Sequence, residues 1–344
     1  MDATIHGGMK ESLPAPVKSG AQFCILNTVT IGATAAQLLT RDGVIGKIDG
    51  VFDRTVNILT RDNEILTLAR IDVGNSPVTI ILNLPPDVGI TSFDIDNEAE
   101  VVKSGSSVYV LGSDVIINLR GATLWRIERP IKIKLTVIEI CRNCDIAKNV
   151  GVKYGKHGGL ADIMAYYDEI VKGDTVNGQE LNPFSRHALP RIIALIKAVP
   201  DRNIDAVANA VKGLIGLGHG LTPSGDDVLA GFMISLLLVT EAFDGEIAHA
   251  REINQTIISM VDGQTTFLSE KSLEYAAQGE SPELVYNLLL AIVTGTEEQV
   301  ESATLALLEV GHFSGTDMLF GILLGFHVAL TYLVKTASQK TTMD

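Results

Sequence analysis

The chain has 344 residues, with 27 Lys and Arg against 41 Asp and Glu for a formal net charge of −14, and 46% of its residues are hydrophobic but only 5% aromatic. At roughly 100–200 residues per domain, this length predicts two domains, each large enough for its own core. The acidic balance and the lack of any Lys/Arg-rich run argue against a nucleic-acid footprint, so a small anion would need a local site rather than a global field.

The opening stretch MDATIHGGMKESLPAP has no basic segment followed by an apolar core, which predicts no secretory leader and a cytoplasmic protein. Three cysteines, Cys24, Cys141 and Cys144, fit no disulfide framework and suit a reducing compartment. Cys141-Arg142-Asn143-Cys144 has the spacing of half a zinc site or of a redox pair. With no second pair, and with a strand-like run leading into it, the reading is that it carries no metal.

Up to Ile140 the sequence reads as short β segments: AQFCILNTVT, GVIGKIDGVF, RTVNIL, EILTLARI, PVTIILNL, SVYVLG, DVIINL and IKIKLTVIEI. Turn signals at Arg61-Asp62-Asn63-Glu64, Gly74-Asn75-Ser76-Pro77 and Lys103-Ser104-Gly105-Ser106 separate these Val/Ile-rich runs. They predict an antiparallel β barrel or sandwich-like domain over residues 1–150. No helices alternate with the strands, which disfavours a doubly wound nucleotide fold.

Beyond a Gly-rich joint, Gly151 to Gly159, the apolar period becomes that of helices. About eight helices are predicted to begin near Gly159, Pro183, Asp201, Ser224, Glu246, Thr266, Pro282 and Thr296, with one more near Gly315. Ser281-Pro282-Glu283 reads as cap, Pro at the first helical position and acid in the first turn, and Thr296 to Gln299 has capping-box spacing. Residues 151–344 are therefore expected to be mostly α-helical, and the class is α+β. Val228 to Val239 and Met318 to Val334 are apolar on every side but fall short of the ~20 residues of a bilayer core. They are expected as two buried central helices, not membrane spans.

The most informative feature is an internal echo. Ser224-Gly225-Asp226-Asp227-Val228-Leu229-Ala230-Gly231 and Ser314-Gly315-Thr316-Asp317-Met318-Leu319-Phe320-Gly321 share the pattern S-G-x-D-x-L-x-G. Each copy follows a Gly-His pair, Gly218-His219 or Gly311-His312, and each opens one of the two all-apolar helices. One reading makes Thr222, Ser224, Asp227, Ser314 and Asp317 caps and Gly231, Gly321 and Gly325 close helix contacts. The other is an anion site, in which Gly-rich backbone and a helix N-terminus point N–H groups and the positive end of the dipole at phosphate or carboxylate. Walker A, dinucleotide and nucleophile-elbow patterns all fail here.

In the anion reading Gly220, Thr222, Ser224, Gly225, Ser314 and Gly315 hold the ligand, and Thr265 and Thr266 in the hydroxyl patch Asp262 to Ser269 complete the pocket or merely cap a helix. The two starts are expected close together, facing one polar pocket. Asp226, Asp227 and Asp317 are candidates for a general base, for holding Mg²⁺, or for simple dipole partners. His219 and His312 stand one step from the glycines as candidates to polarise a carbonyl or relay protons, or as packed loop histidines.

GLTPSGDDVLAG, the patch TTFLS followed by LEYAAQG, and GHFSGTDMLFGILLG together resemble the AllH-type family, formerly a domain of unknown function, over roughly Leu214 to Phe326. The resemblance implies a subunit of oxamate carbamoyltransferase, moving a carbamoyl group between oxalurate and phosphate to give oxamate and carbamoyl phosphate in allantoin degradation, a purine-catabolic route. It also implies an FdrA-like subunit and a second subunit as partners. All these small anions suit paired helix N-termini. The S-T-R-T phosphate motif of ordinary carbamoyltransferases is missing, which calls for a different constellation. The alternative is a non-catalytic assembly subunit whose doubled motif is a packing device, with the active site on a partner.

Overall fold

The computed structural model describes residues 23–341, with side chains described as far as Lys335. The opening stretch read for a leader lies outside the described residues. The chain divides into two compact units, one running to Arg126 and the other starting at Ile127.

The first unit holds β1 (Cys24–Gly32), a short helix α1 (Ala33–Leu38), β2 (Gly43–Val51), β3 (Thr55–Thr60), β4 (Ile65–Arg70), β5 (Thr79–Leu82), β6 (Glu100–Ser104), β7 (Ser107–Val110), β8 (Val115–Asn118) and β9 (Thr123–Trp125). The sheet order is β5-β4-β3-β2-β6-β7-β8-β1-β9, and an additional β5–β1 pairing closes the first eight strands into a ring. β1 makes this possible because it pairs on both sides. Cys24 to Asn27 run parallel to β8, Thr28 to Ile31 antiparallel to β5, and Thr30 to Gly32 parallel to β9. Closure removes the unpaired edges that an open sheet of this length would expose.

The period-2 alternation does the sorting, as in β3, where Val56, Ile58 and Thr60 are buried and the residues between them less so. Inward side chains such as Ile48, Ile58, Leu66, Ile80, Val108 and Ile117 form one cluster. The barrel expectation is met, but β4–β5, β1–β8 and β1–β9 are parallel pairs in an otherwise antiparallel sheet.

Two strands, β6 and β9, were not expected. In β6 the charged Lys103 reads as turn, yet its side chain is buried and its Nζ donates to Asp42 Oδ1 at 2.5 Å. The strand expected at Ile131 to Ile140 does not form. Its first half is coil and its second half opens a helix, because Thr136 and Glu139 make a reciprocal capping box: Glu139 N donates to Thr136 Oγ1 (3.3 Å) and Thr136 N to Glu139 Oε2 (2.7 Å).

That helix, α2 (Val137–Tyr154), begins the second unit's helices. It is followed by a 3-10 turn (Ala161–Tyr166), α3 (Tyr167–Lys172), α4 (Pro183–Ala198), α5 (Ile204–Val211), α6 (Ser224–Ala242), α7 (Ile247–Ile258), α8 (Phe267–Ala277), α9 (Glu283–Thr294), α10 (Glu297–Leu308) and α11 (Ser314–Thr341). Most starts fall within a few residues of expectation, and Thr266 and Thr296 cap α8 and α10 through Ser269 N and Gln299 N. Ser281 is not the cap of α9. Pro282 takes that position, and the buried Ser281 hydroxyl has no partner among the described residues. The cysteine pair lies inside α2, not at a strand end. Cys141 is exposed, Cys144 less so, and burial raises both thiols above their ordinary pKa.

α6 and α11 are the core. Every residue of α6 from Ser224 to Thr240 is buried. Ser314–Lys335 is long and apolar enough to cross a membrane, but 72% of its apolar 18-residue window is buried inside the protein, as in a core helix. The two helices touch backbone to backbone. A methyl group on Gly231 would lie 2.3 Å from the Met318 carbonyl oxygen, and one on Gly321 would lie 2.0 Å from that of Val228. One on Gly325 would meet Phe232 O at 2.6 Å, so four residues along α11 match four along α6 and the helices run parallel.

Candidate functional site

Because α6 and α11 are parallel and cross near their starts, both copies of the doubled motif arrive at the same end of the core. The hydroxyls of Thr222 and Ser314 lie 3.1 Å apart. The copies are related by a local pseudo-twofold: Gly231 packs on Met318 and Ile322, and Gly321 packs on the equivalent Val228 and Phe232. The serines obey the same relation, since the Ser314 hydroxyl favours the charged form of Asp227 and the Ser224 hydroxyl that of Asp317. Each serine serves the aspartate of the other copy.

Gly225 and Gly315 sit at the helix starts for packing. Gly225 N donates to Leu217 O (2.8 Å) and Gly315 N to Val310 O (3.0 Å), while a methyl on either would lie about 2 Å from the Leu214 or Leu307 carbonyl. The N–H groups expected to face an anion at these two glycines are therefore committed, and a side chain at Gly225 would disturb the fold itself. The unengaged donors lie one turn earlier. Among the described residues no protein acceptor is found for the N–H groups of the exposed His219, Gly220 and Leu221, nor for those of the exposed Gly311 and His312. The first loop owes its path to positive φ at Gly216, Gly218 and Gly220.

Asp226 is fully engaged. It accepts from Gly216 N (2.9 Å), Ser269 Oγ (2.7 Å) and Thr265 Oγ1, tying the glycine loop and α8 to the start of α6. Burial raises its pKa, against the pull of these donors. Thr266 bonds Leu221 O while capping α8, so the hydroxyl patch and the loop are one assembly. The second copy has Thr316 in the place of Asp226, and its hydroxyl accepts from Lys156 N at 3.0 Å.

Asp227 and Asp317 are 6% and 0% exposed, and among the described residues the Oδ2 of each receives no hydrogen bond. Burial pushes Asp227 well above the usual carboxylate range, the like charges of Asp317 and Asp226 add to this, and the Ser314 and Thr222 hydroxyls oppose it. Burial raises Asp317 to about 6, opposed by Ser224 and by the N–H groups of Ala161 and Leu160. Those two N–H groups reach Asp317 Oδ1 at 2.8 and 2.7 Å. Sequence reasoning missed this anchor. Its signal was the pair Gly158-Gly159 in the joint, for a methyl on Gly159 would lie 2.2 Å from Asp317 Oδ2.

Both motif histidines are exposed. His219 stands edge-on to Phe184 with ring centroids 4.9 Å apart, and His312 lies 4.2 Å from Phe313. A cleft of about 310 Å³ beside Thr316 is lined by Lys156, His157, Asp162, Tyr166 and Glu180 among others, and a larger groove of about 520 Å³ lies between α9 and α10. Among the described residues no three His, Cys, Asp or Glu side chains gather as a metal-binding set.

A β barrel followed by a helical unit with a doubled, hydroxyl-rich and acidic helix entry defines an α+β protein with a candidate small-molecule site at paired helix starts. Residues 214–326 match the family model described as oxamate carbamoyltransferase subunit AllH, and residues 27–124 match that of the AllH family N-terminal domain. The chain belongs to the AllH family. No solved structure matches it.

Proposed function

We propose that this chain is the subunit of a carbamoyltransferase complex that holds the small anionic substrates, moving a carbamoyl group between oxalurate, or a related ureido acid, and phosphate. The observation that carries the reading is the meeting of Thr222 and Ser314 at 3.1 Å, with unengaged N–H groups in both loops that lead to them. Backbone donors without protein acceptors and a pair of hydroxyls beside the positive ends of two helices favour an anion.

In this reading Gly220, Thr222 and Ser314 contact the ligand, while Ser224, Gly225, Gly315, Asp226, Thr265 and Thr266 shape the entry. A phosphate oxygen attacks the carbamoyl carbon of the ureido acid, the loop donors stabilise the oxygen that becomes negative, and the C–N bond to oxamate breaks. The phosphate proton passes to the departing nitrogen, and His312, on the loop before α11, is the group proposed to relay it. The other subunits implied by the family, an FdrA-like one and a second, complete the enzyme.

The second reading, an assembly subunit with the active site on a partner, is favoured by the packing roles of Gly225 and Gly315. Reconstitution decides between them. Thr222→Val and Ser314→Ala, each removing one hydroxyl, are expected to lower oxamate and carbamoyl phosphate formation by the assembled enzyme by roughly tenfold or more. Variants that fold, assemble and turn over at the wild-type rate would leave the assembly reading standing.

A further inference from the structure

Asp227 is only 6% exposed at the start of α6, and its Oδ2 finds no donor among the described residues. A buried acceptor left in that state is costly unless a ligand supplies the missing hydrogen bond. Asp226 does not share this condition, because its oxygens receive three donors; Asp317 also has an Oδ2 without a donor among the described residues, but its Oδ1 is anchored by the Leu160 and Ala161 N–H groups. Asp227 instead neighbours the two hydroxyls, Thr222 and Ser314, that join the copies.

The proposed substrates and products share one chemical unit. Ureido acid, oxamate and carbamoyl phosphate all carry an unsubstituted amino group on a carbonyl carbon, which offers N–H donors beside a carbonyl acceptor. A site for anions alone explains none of Asp227, since a carboxylate repels them. We infer that Asp227 is the specificity residue for the primary amide that these ligands share, its carboxyl pairing edge to edge with that amide while the loop donors hold the anionic end. A neutral carboxyl presents an O–H donor and a C=O acceptor side by side, which is the complement of a primary amide. Burial and the neighbouring acids push Asp227 toward that neutral form, which also spares the anion a repulsive neighbour.

The inference rests on the anion site proposed above, and the test separates the two. Oxamate and pyruvate have the same shape and the same carboxylate, with an amino group in one where a methyl group stands in the other, and N,N-dimethyloxamate keeps the carbonyl but lacks both N–H donors. Equilibrium binding of the three is measured by calorimetry on the full chain, alone and assembled with its partner subunits. Wild type is expected to prefer oxamate over pyruvate and over the dimethyl compound by about five- to a hundredfold, the range for leaving a buried acceptor unpaired.

Asp227→Leu is expected to erase the preference while still binding the anions, and Asp227→Ala serves the same purpose if leucine does not pack. Equal affinity of wild type for oxamate and pyruvate overturns the inference and leaves the anion site intact. A preference that survives both substitutions also overturns it. No binding of any of the three, alone or in the complex, overturns the anion site and the inference with it.

Discussion

Gly321 lies so close to Val228 that a methyl group on it would stand 2.0 Å from the Val228 carbonyl oxygen, and Gly231 repeats the arrangement against Met318. The obstacle is backbone in a packed helix, which cannot turn aside as a side chain would. Gly321→Ala and Gly231→Ala are therefore expected to destabilise the protein by about 1–3 kcal/mol or more, the usual range for overpacking. Urea unfolding of both variants against wild type checks this.

Asp226 should behave as a structural tie. Asp226→Asn keeps one acceptor oxygen but sets an amide nitrogen with its two hydrogens against hydroxyl donors, so a loss of about 1–3 kcal/mol is expected. Thr265→Val should lose less, and the double variant should cost less than the sum because the two share one hydrogen bond. A double-mutant cycle in urea measures the coupling.

Asp317 gives a pH dependence of defined sign. Its folded pKa of about 6 lies above the ordinary 3.8, so between these values the folded protein binds more protons than the unfolded chain. Stability then falls as pH rises through that window, by up to about 3 kcal/mol at 1.36 kcal/mol per unit. Asp317→Asn keeps an oxygen for the Leu160 and Ala161 N–H groups and removes the titration, so its stability should change less than that of wild type between pH 4 and 7. Unfolding free energies across that range give the comparison.

Thiol reactivity reports the helix at residues 137–154. Cys141 is exposed and Cys144 is more buried, with its thiol raised well above its ordinary pKa, and the thiolate is the reactive form. A maleimide should label Cys141 in the native protein and reach Cys144 on unfolding. Peptide mass spectrometry distinguishes the two sites.

The sequence by itself determined the α+β class, most of the barrel strands, nearly all helix starts and the doubled S-G-x-D-x-L-x-G motif. These are written in short-range patterns: alternation with period 2, apolar surface on all sides of two helices, and caps such as Thr266 and Thr296 that satisfy N–H groups three residues away. Where two local signals competed, alternation hid the stronger one, and Thr136 with Glu139 turned an expected strand into α2. Only the tertiary structure decided which partners the motif's residues meet. Gly225 looks like a phosphate glycine until the Leu214 carbonyl is placed against it, and Asp226 looks catalytic until Gly216, Thr265 and Ser269 fill its oxygens. The exchange of serines between the copies joins residues some ninety positions apart. Such partners are chosen by which backbones can approach across the core, and no window of neighbouring residues contains that information.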